Sequence, residues 1–129
     1  MKKYRKELTV TSSDLDDLQH VNNVRYLEWV QLVSKEHWEQ LTSQVWEDQF
    51  IWVVKRHQIT YHRPAKQGDN LMICTYVPEA SGAISKRKVE IHTVETDSLI
   101  AECLTEWVLL DARTGKPTRI PLEMQRVFV

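Results

Sequence analysis

A dense polar segment near the N-terminus, Ser-Asp-Leu-Asp-Asp-Leu-Gln-His-Val-Asn-Asn, covers residues 13–23. Asparagine is a favoured helix N-cap, so Asn22 or Asn23 is expected to begin a helix there. Because the first N–H groups of a helix lack intrahelical acceptors, we expect those of Val24 and Arg25 to point back at the segment. A carboxylate beside such donors places a nucleophile or base next to a dipole that polarises a carbonyl group, as acyl transfer requires. The alternative is that the acids and asparagines only cap the helix.

A second polar group, Ser85-Lys86-Arg87-Lys88, precedes an apolar strand pattern. In a strand, Lys86 and Lys88 point to one face and Arg87 to the other. These cations are candidates for binding phosphate groups, and Arg63 is a further candidate. The alternative is a solvated strand face. No phosphate-binding loop or dinucleotide-binding motif is present.

The remaining reactive side chains fit structural roles better. His37, His57, His62 and His92 have no partner at metal-ligand or catalytic-dyad spacing, and the sequence predicts no metal site. Cys74 and Cys103 each lie within an apolar run, which favours reduced, buried thiols over a disulfide. The tryptophans are expected in the core or at a subunit contact rather than in an acyl-binding pocket; they are Trp29, Trp38, Trp46, Trp52 and Trp107.

One early helix and several strands must position these residues. From Asn23 to about Leu41, apolar side chains recur at helical spacing, and Trp29 and Trp38 widen the apolar stripe, which indicates a helix buried on most sides. Alternating patterns predict strands over residues 4–11, 50–63, 71–77, 83–94 and 99–110. Hairpin-length links join the later strands, so the order favours an α+β fold in which a long antiparallel sheet wraps around one central helix.

Length and composition limit the possible classes. The 129 residues are 42% hydrophobic and 27% charged, and they predict one globular domain over residues 1–129. The net charge of -1 argues against a nucleic-acid partner. No apolar run approaches the roughly 18 residues of a membrane span, and no signal peptide is evident, so we expect no membrane association and a cytoplasmic location.

The residues from Asp14 to Trp29 resemble the D-x-D-x-x-x-H-V-N-N-x-x-Y-x-x-W signature of hot-dog-fold thioesterases. That group comprises the 4-hydroxybenzoyl-CoA thioesterase-like acyl-CoA enzymes and the plant acyl-carrier-protein thioesterases. The segments at residues 61–69 and 115–121 resemble the family's later links as well. The resemblance therefore covers almost the whole chain.

The resemblance implies roles for particular residues. Asp16 matches the catalytic carboxylate and Asp14 its companion, while His20 matches a histidine implicated in the plant enzymes. Leu18 stands where those enzymes have an asparagine, which favours the CoA branch. The candidates for substrate binding are the N–H groups of Val24 and Arg25 together with Asn22 and Asn23, for which anchoring the loop and the helix start is the alternative. If the substrate is a CoA thioester, the candidates for its phosphates are the cations Arg63, Lys86, Arg87 and Lys88.

The resemblance also implies the reaction, in which an acyl-CoA and water give a carboxylic acid and CoA. Asp16 would either attack the thioester itself or activate water, and the sequence leaves both routes open. No cofactor is implied, and a homodimer, or a homotetramer, is expected. The alternatives are hydrolysis of acyl-carrier-protein thioesters and a non-catalytic protein that binds acyl thioesters.

Overall fold

The computed structural model describes all 129 residues and contains five strands and three helices. The strands are β1 (Lys3–Thr9), β2 (Phe50–Tyr61), β3 (Asn70–Ser81), β4 (Ile84–Thr93) and β5 (Leu99–Asp111). The helices are α1 (Asn23–Leu41), α2 (Gln44–Gln49) and α3 (Leu122–Val127), and one 3-10 turn covers Ser12–Asp14. All strands join one antiparallel sheet in the order β1-β3-β4-β5-β2. The expected order of one long early helix and four later strands is confirmed.

Helix α1 packs against the inner face of the sheet through a single stripe. Its buried residues are Tyr26, Trp29, Val30, Val33, Ser34 and His37. These positions recur every three or four residues, which places them on one side of the helix. The expectation of a helix buried on most sides is wrong, because Gln31, Lys35 and Glu39 are exposed. The main apolar core forms where this stripe meets the buried positions of β3, β4 and β5.

Burial alternates between the two faces of the sheet along β4 and along β3 as far as Val77. On β4, Ser85, Arg87, Val89 and Ile91 are buried while the residues between them are half-buried. On β3 the same alternation buries Ile73 and Thr75 but leaves Cys74 only half-buried on the outer face. The expectation of a buried thiol is therefore wrong for Cys74, whereas Cys103 on β5 is buried; both thiols are free.

Three elements differ from the sequence prediction. Strand β3 continues past Pro78 because the pairing with β4 shifts register between Tyr76 and Glu79, and a bulge tolerates the missing N–H of proline. Helices α2 and α3 are both short and were not predicted. They cover one end of the sheet, where Leu109, Ile120, Met124 and Phe128 form a second apolar cluster. None of the helices has the length and apolar character needed to cross a membrane.

Candidate active site

The polar segment before α1 folds into a tight loop around the Asp16 carboxylate. Oδ1 of Asp16 accepts hydrogen bonds from the backbone N–H groups of Leu18 (2.9 Å) and His20 (3.1 Å). The backbone N–H of Asp16 donates to the His20 carbonyl at 2.7 Å, which closes the loop. Gln19 adopts the left-handed conformation (φ 62°) that this closure requires and that non-glycine residues rarely adopt. No group of the chain donates to the second oxygen, Oδ2, so half of the carboxylate is fixed and half is available.

Asp14, the companion acid, holds the loop against α1. One of its oxygens pairs with Nε of Arg25 at 3.0 Å, and the other accepts from the Thr11 N–H at 2.8 Å. The Arg25 guanidinium also contacts Glu28 at 2.7 Å. Arg25 is therefore engaged within the chain, as a brace between the loop and the helix. Asp17, the residue after Asp16, is exposed and forms no side-chain contact of this kind.

The start of α1 differs in detail from the sequence expectation. Asn22 is the N-cap, and its side chain accepts from the Val24 N–H at 3.0 Å. The Arg25 N–H donates to the Asn22 carbonyl at 2.8 Å. The expectation that these two N–H groups are free is wrong, since the capping residue itself uses them. The N–H of Asn23, the first helical residue, donates to no acceptor in the chain.

A cavity of about 290 Å³ opens beside Asp16. The residues that line it are Asp16, His20, Val21, Asn23, Tyr26, Tyr61, His62, Arg63 and Pro64. The Ala65 backbone holds two of these residues in place: its N–H donates to the Tyr26 hydroxyl (3.2 Å), and its carbonyl accepts from the Val21 N–H (2.9 Å). Burial raises the pKa of Tyr26, which keeps its hydroxyl neutral. The structure thus brings four of the predicted site residues together: Asp16, His20, Asn23 and Arg63.

The remaining predicted cations lie elsewhere. Lys86 and Lys88 are on the outer face of the sheet and pair with Glu79 (3.4 Å) and Glu102 (2.9 Å). The Lys88 hydrogen bond lowers the pKa of Glu102. Arg87 points the opposite way, as the strand alternation predicts, into the space between the sheet and α1. The structure does not place these three residues beside Asp16.

Arg87 belongs to a second and larger cavity, of about 620 Å³, between the C-terminal half of α1 and the sheet. Apolar and aromatic side chains form most of its wall, including Trp38, Phe50, Trp52, Trp107 and Phe128. Three tryptophans expected only in the core or at a subunit contact therefore line an open space. These tryptophans come together because α1, β2 and β5 pack around one cavity, and no local sequence pattern predicts that they meet.

The smaller cavity is chemically suited to acyl transfer. Asp16, which has one carboxylate oxygen without a partner, and Asn23, whose N–H at the start of α1 has no acceptor, both line it. The first can attack a carbonyl carbon or remove a proton from water, and the second can stabilise the developing oxyanion. The chain contains no group of three or more His, Cys, Asp or Glu side chains arranged to bind a metal ion.

Comparison with known proteins gives one matching family. The model of the acyl-ACP thioesterase N-terminal domain matches residues 1–128. The long-chain acyl-CoA thioesterase FadM of Escherichia coli (strain K12) is 30% identical over 128 residues, which are 92% of this chain and 92% of that protein.

Solved structures show the same fold. The crystal structure of YbaW, a probable thioesterase from Escherichia coli, has a TM-score of 0.82 at 26% identity and covers 95% of this chain and 94% of its own. The 1,4-dihydroxy-2-naphthoyl-CoA thioesterase Slr0204 from Synechocystis has a TM-score of 0.85 at 20% identity, covering 98% and 96%. The hot-dog architecture expected from the sequence resemblance is confirmed.

Proposed function

Because the chain belongs to the acyl-ACP thioesterase N-terminal domain family, we propose that it is an acyl-CoA thioesterase that converts an acyl-CoA and water into a carboxylic acid and CoA. One observation carries the site assignment. The Asp16 carboxylate is held at Oδ1 by two backbone N–H groups while Oδ2 is left without a partner at the cavity wall. The name of the FadM relative, which is similar over nearly its whole length, favours CoA as the carrier.

Two routes through Asp16 give the same products. In the first, Oδ2 removes a proton from water as the water oxygen bonds to the thioester carbon; the C–S bond then breaks and sulfur takes a proton. In the second, Oδ2 itself bonds to the carbonyl carbon and expels the thiolate, which solvent protonates. The resulting mixed anhydride is hydrolysed to the acid and Asp16. A protein adduct of the acyl mass in rapidly quenched reactions distinguishes the second route.

The other residues of the smaller cavity have supporting roles in this proposal. The Asn23 N–H donates to the thioester oxygen as charge develops there. His20 positions water or substrate, while Asn22, Val24 and Arg25 maintain the start of α1. Arg63, on the cavity rim, is the candidate ligand for a CoA phosphate.

The assembly is part of the proposal. We infer a homodimer, with a homotetramer as the alternative, because a long edge strand and the mouth of the larger cavity lie side by side. The single domain over residues 1–129 and the cytoplasmic location stay predictions.

A panel of thioesters tests the proposed function. Release of free thiol is measured for acyl-CoA and acyl-carrier-protein substrates with matched acyl groups. Faster release from the CoA series supports the proposal, and faster release from the carrier-protein series favours the family's other branch. Binding of every thioester without turnover would mean that the chain is a non-catalytic binding protein.

The Asp16→Asn variant tests the catalytic assignment. Asparagine keeps the Oδ1 acceptor for Leu18 and His20, so the loop should fold, but it removes the basic and nucleophilic oxygen. We expect single-turnover hydrolysis to fall by about a hundredfold or more. Asp17→Asn is the matched control, since Asp17 is exposed on the same loop. Normal rates for Asp16→Asn would contradict the assignment.

A further inference from the structure

Arg87 is a buried cation without a counter-ion. Its side chain comes from the inner face of β4, and the residue is only 4% exposed. One of its nitrogens, Nη1, contacts Nδ1 of His37 at 2.9 Å and Oγ1 of Thr75 at 3.0 Å. Thr75 has no charge, and the His37 ring is neutral at pH 7 because its pKa is lowered to about 4, mainly by burial. No carboxylate lies close enough to pair with Arg87. Burial lowers the pKa of its guanidinium to about 10.

Such an arrangement is costly unless something completes it. An unpaired charge in a protein interior is destabilising, and buried guanidinium groups are normally paired with anions. The Nε and Nη2 atoms of Arg87 donate to no acceptor in the chain. The indole N–H groups of Trp52 and Trp107, two residues that line the same cavity, also lack acceptors, but their nitrogen atoms are fully buried. The lining contains two cations, Arg87 and Lys35, and a single carboxylate.

The larger cavity is otherwise suited to an apolar chain. Aromatic and aliphatic side chains dominate its wall, and the only carboxylate in the lining, Glu47, accepts the indole N–H of Trp38 at 2.8 Å. Ser34 and Ser85 add two small polar groups. A ligand that fits here is apolar along most of its length and anionic where it meets Arg87.

Both cavities lie along the same seam between α1 and β2. Tyr26 and Tyr61 meet at the Asp16 end with ring centroids 5.6 Å apart, and Trp38 and Trp52 meet at the Arg87 end at 5.8 Å. From Tyr26 to Trp38 the helix rises by about 18 Å at 1.5 Å per residue. Between the two ends, the side chains of Gln31 and His57 approach within 3.4 Å across the seam. A chain bound at Asp16 by its thioester would lie along this seam and would have to displace the Gln31–His57 contact to reach Arg87.

We propose that the larger cavity receives the acyl chain of the substrate and that Arg87 selects chains with a carboxylate at the end remote from the thioester. The preferred substrates are thus CoA monothioesters of long dicarboxylic acids. This inference rests on the proposed thioesterase function and names its substrate class. Arg87 is a specificity-determining residue in this role, since it contacts the far end of the chain and takes no part in breaking the C–S bond.

The test compares acyl-CoA with ω-carboxyacyl-CoA of the same length over a series of chain lengths. We expect the wild type to have the higher kcat/KM for the ω-carboxyl series once the chain is long enough to reach Arg87. In Arg87→Met, we expect kcat/KM for that series to fall by about ten- to a hundredfold, as for a lost charge-assisted hydrogen bond. The readout is the ratio of kcat/KM between the ω-carboxyl and methyl-ended series, which Arg87→Met should lower. Wild-type preference for methyl-ended chains at every length would overturn the proposal.

A binding measurement separates this inference from the proposed function. Binding of free dicarboxylic acids and of monocarboxylic acids of equal length is followed by the fluorescence of the cavity tryptophans, with no turnover needed. Dicarboxylates should bind the wild type more tightly than Arg87→Met, and Arg113→Met, which removes an exposed cation in a turn, should bind like the wild type. Equal binding by wild type and Arg87→Met would overturn the inference even if thioesters are hydrolysed.

Folding of the variants is checked by thermal unfolding. Methionine in place of a buried arginine is expected to be tolerated, because apolar replacements of buried charges are often neutral or stabilising. If Arg87→Met does not fold, Arg87→Lys and Arg87→Gln give the same comparison with and without the charge. Loss of the dicarboxylate preference in Arg87→Gln, with partial retention in Arg87→Lys, supports the proposal; equal preference in both overturns it.

Discussion

At the scale of single residues, two charged side chains with opposite environments dominate this molecule. Asp16 has half of its carboxylate satisfied by the backbone and half directed at a solvent-accessible cavity. Arg87 contacts the neutral side chains of His37 and Thr75 and lies over the Phe128 ring at 6.0 Å, but no carboxylate pairs with it. The open carboxylate oxygen of Asp16 suits a reactive group, and the unpaired guanidinium of Arg87 suits a group that binds an anion.

The neighbour of Arg87, His37, predicts how stability depends on pH. Burial, followed by the charges of Arg87 and Lys2, lowers the pKa of His37 from 6.5 to about 4, and the ring stacks on Tyr4 with centroids 6.0 Å apart. The unfolded chain therefore binds a proton that the folded chain does not between those values. The stability contribution of the neutral ring is complete above pH 6.5 and is lost as the pH falls towards 4.

His37→Asn tests this dependence, because the asparagine oxygen can still accept from Arg87 but does not titrate. Between pH 7 and pH 5, the wild type should lose roughly 1 to 2 kcal/mol more unfolding free energy than the variant. Urea unfolding at several pH values measures both slopes. If the unfolding free energies of the two proteins depend on pH in the same way, His37 does not cause the loss of stability at low pH.

Arg63 gives a prediction about carrier recognition. It lies on the rim of the Asp16 cavity and is exposed, with only a long contact to Ser98 at 3.5 Å. Arg63→Gln should raise KM for CoA thioesters about tenfold and leave kcat nearly constant, because one phosphate contact is lost. A short thioester without the nucleotide should be unaffected. Lys86→Gln, on the outer face, is the control, and an equal effect of both variants on CoA substrates would contradict the assignment.

At the scale of elements, the start of α1 connects the reactive loop to the core. Asn22 caps the helix through its side chain, and its backbone N–H donates to the Asp14 carbonyl at 2.8 Å. The next turn contributes Tyr26, whose hydroxyl accepts from the Ala65 N–H at 3.2 Å. The loop that holds Asp16 is thus fixed on both sides by α1 and by the segment after β2.

Replacement of the capping side chain tests this connection. Asn22→Ala should lower the free energy of unfolding by about 1 kcal/mol, since the Val24 N–H loses its acceptor. Asn22→Asp keeps an acceptor and should restore most of that loss. Chemical denaturation of the three proteins gives the comparison, and an alanine variant as stable as the wild type would show that the cap contributes little here.

At the scale of the whole molecule, the edge of the sheet formed by β2 is long and exposes apolar side chains. This strand has 12 residues and pairs only with β5. Ile51 is 47% exposed and Val53 is 38% exposed along it. A long unpaired edge with apolar side chains is a template for pairing with another chain, and natural proteins usually cover or charge such edges. The edge borders the larger cavity, so a second copy there would also close the acyl site.

We therefore expect light scattering to give at least a homodimer in solution. Val53→Lys should weaken the association, since a lysine on an edge strand opposes pairing, while the fold should persist because the side chain is already partly exposed. Val45→Lys, at a more exposed valine on α2, is the matched control and should remain associated. A stable and fully active monomer of the wild type would contradict the expectation.

Much of the architecture could be predicted from local patterns in the sequence. The helical spacing from Tyr26 to His37 predicted α1 and its buried face, and alternation predicted the strands and the opposite directions of Lys86 and Arg87. The signature from Asp14 to Trp29 indicated the fold and the reaction. These features depend on residues close in the chain, where periodicity and turn chemistry act directly.

Tertiary structure decided which distant side chains meet. Arg87 and His37 are 50 residues apart, and only the pairing of β4 with its neighbours, together with the packing of α1, brings them together inside one cavity. The register also separates Lys86 and Lys88 from Asp16, and the capping geometry of Asn22 leaves Asn23, not Val24 or Arg25, with the unpaired N–H. Sequence patterns predict which face of its own helix or strand a side chain occupies. Whether that side chain is buried, and whether its charge is paired, depends on the residues that other elements place around it.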